Sequence, residues 1–342
     1  VLPYDYKDWT ANHVWVHKQI FPLWLMSASM NIFGVNDIAL RIPSLLLSTL
    51  AILLLYLIAK ELFNRKLALI SAFLAAIHGL TIELVAGRLA TDHIDITFMF
   101  MVLLSVFFAV QYFKTRNFVF KILCGISLGL AVLSKWLPAY IVLALWLSLA
   151  LDAKFTFKKI ISYLSIITLI SLAVFLPWQI WIFHRFPIEA QWESSFNTKH
   201  LFEGIENHGH PFYYHFDKMR MLYGELIYLP LLWLIIKVFR HKIHFKRLFL
   251  LLWIIIPFVF FSIAKTKMQD YTLFTSPAIF MMTAFFFLWL GRYIKRFRYR
   301  WIPVTIMVLL IALPIRYSIE RIKPFKKMSR TENWANELKV ID

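Results

Sequence analysis

The chain has 342 residues, 60% of them hydrophobic and 18% aromatic, with a formal net charge of +18 and a mean hydropathy of +0.67. That apolar content excludes a soluble globular domain. The basic balance is not a nucleic-acid footprint, because the lysines and arginines sit in short loops between apolar runs, as in a membrane protein.

Spanning a ~30 Å hydrocarbon layer takes about 20 apolar residues in a helix. In lipid, only helices and closed barrels satisfy their own backbone polar groups. A long apolar stretch followed by a short knot of charge, repeated along the chain, predicts an all-α integral membrane protein: a bundle of about ten spans. Val1 is not a methionine and no targeting segment opens the chain, which we read as a start inside a longer protein. Residues 1–40 read as an outer loop and an interfacial helix; the apolar stretch 19–34, with Pro22 and Trp24, is short enough to lie against the outer leaflet, an ordinary short span being the alternative. Residues 41–315 read as the bundle, with a long outer loop over 184–220. The expected spans are 41–59, 67–86, 94–113, 118–134, 136–151, 160–183, 221–236, 248–264, 271–290 and 301–315. The single cysteine, Cys124, lies inside the fourth and excludes intrachain disulfides. Residues 316–342 read as the start of an external segment.

Orientation follows from the loops. One alternate set carries Lys60, Arg65 and Lys66, then Lys114 and Arg116, then Lys154, Lys158 and Lys159, and two further basic clusters over 237–247 and 292–300. The opposite set carries Arg88, Lys135, four basic residues spread over 185–220, then Lys265 and Lys267. The first set is expected in the cytoplasm.

The outer set holds the chemistry. Arg88, Asp92, His93 and Asp95 fall within eight residues where one span ends and the next begins. A carboxylate there can act as a general base or orient a substrate; capping of the following helix is the plainer role for Asp95. Lys265 and Lys267, followed by Asp270 and Tyr271, break the positive-inside trend at the outer end of a span. Snorkelling accounts for either lysine alone, whereas the pair with a tyrosine suits a phosphate at headgroup level. In the long loop, His208-Gly-His210-Pro-Phe-Tyr-Tyr214-His215 offers hydrogen-bond donors among aromatics. His-x-His could ligate a metal, but no complete four-ligand set accompanies it.

Four blocks together resemble the polyprenyl-phosphate-sugar-dependent glycosyltransferases of the GT-C class, in particular the bacterial relatives of dolichyl-phosphate-mannose protein mannosyltransferases and the lipid A aminoarabinose transferases. They are His17-Lys18-Gln-Ile-Phe-Pro-Leu-Trp24 with Phe33-Gly34 and Arg41-Ile-Pro43-Ser; Gly129-Leu-Ala-Val-Leu-Ser-Lys135; Pro177-Trp178 running to His210-Pro-Phe-Tyr-Tyr214; and Phe261-Ser-Ile-Ala-Lys265-Thr-Lys267 with Tyr271 and Pro277-Ala. The resemblance implies a GT-C-like fold and transfer of a sugar from a lipid phosphate, with inversion, on the extracytoplasmic face of the inner (plasma) membrane. It implies a lipid-linked sugar donor and membrane lipids as partners, with the acceptor left open. No cofactor is expected and a divalent metal stays open. Lys265, Lys267, Tyr271 and Arg88 are expected to meet the donor phosphate; Lys18, Asp95, Lys135, His208, His210 and Tyr214 are expected to bind substrate. The family's acidic pair would lie before Val1, leaving Asp92 as the base candidate in this chain. Gln19-Ile20 replaces the family's Pro-Pro, and Asp270 stands where relatives often have His. A transporter or lipid flippase with an outer polar gate is the rival reading; it calls for polar residues at mid-bilayer and broken helices in paired positions.

Overall fold

The computed structural model describes residues 3–8, 11, 14–87, 93–205, 207–240 and 244–323. Among them every regular element is helical. In chain order the helices are α1 (Ile20–Phe33), α2 (Asp37–Leu62), α3 (Arg65–Ala76), α4 (Gly79–Val85), α5 (His93–Thr115), α6 (Phe118–Lys135), α7 (Ile141–Asp152), α8 (Phe157–Arg185), α9 (Pro187–Phe202), α10 (Tyr214–Tyr223), α11 (Tyr228–Phe239), α12 (Phe245–Ile263), α13 (Ser276–Tyr293) and α14 (Trp301–Ile322). A tight 3-10 turn, Gln269–Thr275, leads into α13.

Seven helices are long and apolar enough to cross a membrane, and two bent pairs raise the number to nine. That is close to the ten expected. The expected span over 67–86 is α3 and α4, bent by 48°. The one over 221–236 belongs to a pair bent by 117°, Tyr214–Tyr223 with Glu225–Phe239. Gly224, at φ +93, makes that corner; a Cβ there would sit 3.0 Å from the Leu313 Cβ. The tenth, Leu137–Asp152, is a shorter apolar helix. At 1.5 Å per residue it rises roughly 24 Å, short of a full crossing unless the bilayer thins.

Three helices start from the same local device. The side chains of Asn36, Asn64 and Asn117 accept from the backbone N–H of Ala39, Leu67 and Val119 at 2.8, 3.0 and 2.9 Å, satisfying donors that a helix leaves free.

The helices hold together by close packing, since lipid tails offer no hydrophobic drive for association. Gly125 and Gly129 place α6 directly on α8: a Cβ at Gly129 would lie 2.6 Å from the Val174 Cβ and 2.9 Å from the Ser171 carbonyl oxygen. Helices α5 and α13 are buried along most of their length, whereas α8 and α14 face mainly outward. Between them the Phe98 and Phe274 rings meet edge-on at 4.9 Å, and the Trp253 indole N–H donates to the Phe274 carbonyl at 3.0 Å.

Candidate functional site

Three chain-distant elements converge at one end of the bundle. Asp95 stands in the first turn of α5, Lys135 ends α6, and Asp270 and Tyr271 open the turn before α13. The Lys135 ammonium forms an ion pair with the Asp95 carboxylate and lies 4.6 Å over the Tyr271 ring. Asp270, buried, faces both Asp95 and Lys135. Two carboxyl groups thus surround one half-buried ammonium. Burying charge is costly unless it is paired and hydrogen-bonded, so this cluster is built rather than incidental. Trp136 follows Lys135 with φ 65 and ψ −154, a region almost reserved for glycine. The backbone strain therefore sits directly beside the ion pair.

A second group joins it from the long loop. Residues 264–268 run extended and are tied to the end of α9 and the loop that follows. The backbone N–H groups of Lys265, Thr266 and Lys267 donate to the carbonyls of Leu201, His200 and His208 at 3.2, 3.0 and 2.9 Å. The Thr266 hydroxyl donates to the Glu203 carbonyl at 2.8 Å and accepts from the Ile205 N–H at 3.0 Å. Gly209 and Thr266 form an isolated antiparallel bridge. The loop thus presents His208 and His210 to the lysine segment.

The two lysines differ. Lys265 is exposed, while Lys267 is only 2% exposed. The Lys267 ammonium turns back to the Ala264 carbonyl and, at 3.5 Å, the Lys265 carbonyl. Burial, then the neighbouring Lys265 charge, holds its pKa below the ordinary lysine value. His210 stacks flat on Tyr214 with centroids 4.2 Å apart. Its pKa is pushed below the usual histidine range by burial and then by the charges of His208, Lys218 and Lys267. Asp270 lies within electrostatic reach of both Tyr214 and His215 and so joins the two groups.

Of the residues expected from the sequence, Lys267, His208, His210 and Tyr214 meet in one group and Asp95, Lys135 and Tyr271 in the other. Lys18 sits half-buried before α1; its neighbour His17 pairs with Glu193 of α9 at 3.0 Å. Arg88 and Asp92 lie outside the described residues. Two further members carried no assigned role: Asp270, and His215, which is buried with both ring nitrogens unpartnered among the described residues. The signal for both was sequence adjacency to Tyr271 and Tyr214; convergence needed the fold. Among the described residues no three His, Cys, Asp or Glu side chains are grouped as metal ligands.

Residues 17–181 match the family model described as dolichyl-phosphate-mannose-protein mannosyltransferase. The chain is 26% identical over 281 residues to an undecaprenyl phosphate-alpha-4-amino-4-deoxy-L-arabinose arabinosyl transferase of Pseudomonas aeruginosa, covering 77% of this chain and 49% of that protein. It is 28% identical over 294 residues to such a transferase of Proteus mirabilis, covering 81% and 52%. The chain thus spans about half the length of the curated relatives it matches. In fold it is similar to ArnT from Cupriavidus metallidurans bound to undecaprenyl phosphate, with a TM-score of 0.62 and 18% identity over 89% of this chain and 62% of that one. The archaeal oligosaccharyltransferase AglB from Archaeoglobus fulgidus, in complex with an inhibitory peptide and a dolichol-phosphate, gives 0.60 and 16% over 95% and 50%. These likenesses bear out the GT-C resemblance read from the sequence.

Proposed function

We propose that this chain, a membrane protein of the GT-C class, moves a sugar from a polyprenyl-phosphate carrier to an acceptor on the extracytoplasmic face of the inner membrane, with inversion. One observation carries the reading: cations, imidazoles, carboxylates and tyrosines from four separate stretches gather at the single end of the bundle whose loops are poor in basic residues. The solved structures it resembles, which hold undecaprenyl phosphate or a dolichol-phosphate, support a lipid phosphate as the donor's leaving group.

In this assignment the carrier enters sideways from the bilayer and its phosphate meets Lys265 and Lys267. An ammonium offers three donors; two of those on Lys267 go to backbone carbonyls, leaving one for a phosphate oxygen. Charge grows on that phosphate as the glycosidic bond breaks. Fixed cations therefore stabilise the transition state more than the ground state. Tyr271 and Arg88 share the contact. His210, whose pKa is lowered, and Tyr214 supply hydrogen bonds to sugar or phosphate, with His208 beside them; Lys18 is assigned to substrate from its place in the sequence. Asp95 and Lys135 act through their ion pair, which sets the Tyr271 ring. A carboxylate, Asp92 or one outside this chain's sequence, takes the acceptor proton.

The test is the Lys265→Ala, Lys267→Ala double variant with a fluorescent polyprenyl-phosphate sugar as donor. We expect transfer to fall by at least about a hundredfold, with membrane insertion and melting temperature retained. Unchanged transfer removes the phosphate assignment. The flippase reading is not favoured by the similar proteins, which are named as transferases; movement of labelled lipid across vesicles without any sugar transfer would establish it instead.

A further inference from the structure

We propose that the start of α6, with Arg116 and Lys121 beside it, binds the phosphate of an anionic membrane lipid at the end of the bundle opposite the candidate site. Lys121 lies in the first turn of α6 and is 3% exposed, yet it has no hydrogen bond or ion pair among the described residues. Its ammonium rests instead on three rings: 3.8 Å over Tyr163, 4.4 Å over Phe118 and 5.7 Å over Tyr112. Arg116, exposed, has no ion pair among the described residues, and its guanidinium lies 4.6 Å over Phe155 and 5.4 Å over Phe113.

The electrostatics of this corner are incomplete. Asn117 already caps the Val119 N–H, but the first turn still carries the positive end of the helix dipole, so a buried lysine there adds cation to cation. The one carboxylate paired nearby, Glu61, is already engaged by Lys114 at 2.8 Å. Arg116 holds a left-handed backbone, φ 59, and closes the end of α5 with its N–H on the Tyr112 carbonyl at 2.8 Å. Two cations at the start of one helix suit an anion with several acceptor oxygens, and phosphate has that form.

The surroundings select a lipid over a free ion. Phe118 and Val119 are 52% and 53% exposed on the same turn. They continue the apolar outer face of the bundle, so an anion seated here carries acyl chains along it. Basic pockets between spans at this level hold anionic head groups. The α6 axis separates this corner from Lys135 by fourteen residues, roughly 21 Å at 1.5 Å per residue.

The experiment uses the purified chain in nanodiscs of phosphatidylcholine alone or with phosphatidylglycerol added. It reads the lipid retained after detergent washing, by native mass spectrometry, together with the melting temperature. The wild type should retain phosphatidylglycerol in preference to phosphatidylcholine and melt higher with it. Lys121→Met keeps the side-chain length, and Arg116→Gly relaxes the backbone; each should lower retention by about fivefold, while Lys121→Arg retains it. Equal retention of both lipids overturns the proposal. So does unchanged retention by Arg116→Gly, which answers alone should Lys121→Met fail to fold. Inorganic phosphate that stabilises the protein as well as phosphatidylglycerol does, and displaces it, overturns the lipid assignment.

Discussion

The two ends of the bundle handle charge in opposite ways, and two ion pairs show it. At the candidate site Lys135 and Asp95 are paired with side chains 22% and 5% exposed. At the far end Lys114 and Glu61 are paired at 2.8 Å with side chains 54% and 24% exposed. The first pair has its carboxylate buried and shares its space with a second carboxyl group, Asp270. The second is solvated and sits among unpaired basic residues. Charge at the site end is thus balanced inside the protein and held to a fixed geometry. Charge at the far end is left for the surroundings to balance.

The sharpest way to break this contrast is to remove one partner from each pair. Lys135→Met should destabilise the protein by about 3 kcal/mol or more, because it strands Asp95 beside Asp270. Adding Asp95→Asn should recover part of that loss, and denaturation of both variants in detergent checks it. A single variant as stable as the wild type would show the pair to be open to solvent. Gly224→Ala comes next, at about 2 kcal/mol, from the left-handed backbone together with the approach to Leu313. It should also lower transfer, since this corner sets α10 beneath the histidine loop. Lys114→Met should cost less than about 1 kcal/mol, as exposed pairs do.

The smallest effect is a pH dependence at the site. His210 is held below the ordinary histidine value of 6.5, so the folded state favours its neutral form. Its contribution to stability is present above 6.5 and is lost as pH falls through the lowered folded value. Protonation there adds a cation beside Lys267, which an empty site resists and a bound phosphate rewards. The melting temperature of the empty protein should therefore fall on acidification, and polyprenyl phosphate should reduce the fall. In His210→Gln this phosphate-dependent difference should shrink. An identical difference in variant and wild type would place the phosphate elsewhere.

Much of the architecture was legible in the sequence because span detection needs only local composition. The apolar run over 94–113 became α5, and the one over 160–183 became α8, whose Pro177 leaves the helix continuous. The bends at His78–Gly79 and at Gly224 were not legible, because hydropathy averages over a window and does not register a change of direction. Lysines two apart in the sequence read as twins, yet only Lys265 faces outward; the bonds from residues 264–268 to the α9 loop turn Lys267 inward. Arg88 and Asp92 fall outside the described residues, so their expected roles stand on the sequence alone.

By itself the sequence determined the solvent in which this protein folds, the helices it forms and which loops are poor in basic residues. All three depend on residue type and order within about twenty positions. The tertiary structure decided which charges meet: Asp95 with Lys135, forty residues apart, and Asp270 between that pair and the histidine loop. Pairing at such separations is set by how helices pack, through contacts such as Gly129 against Val174, and no local pattern encodes it.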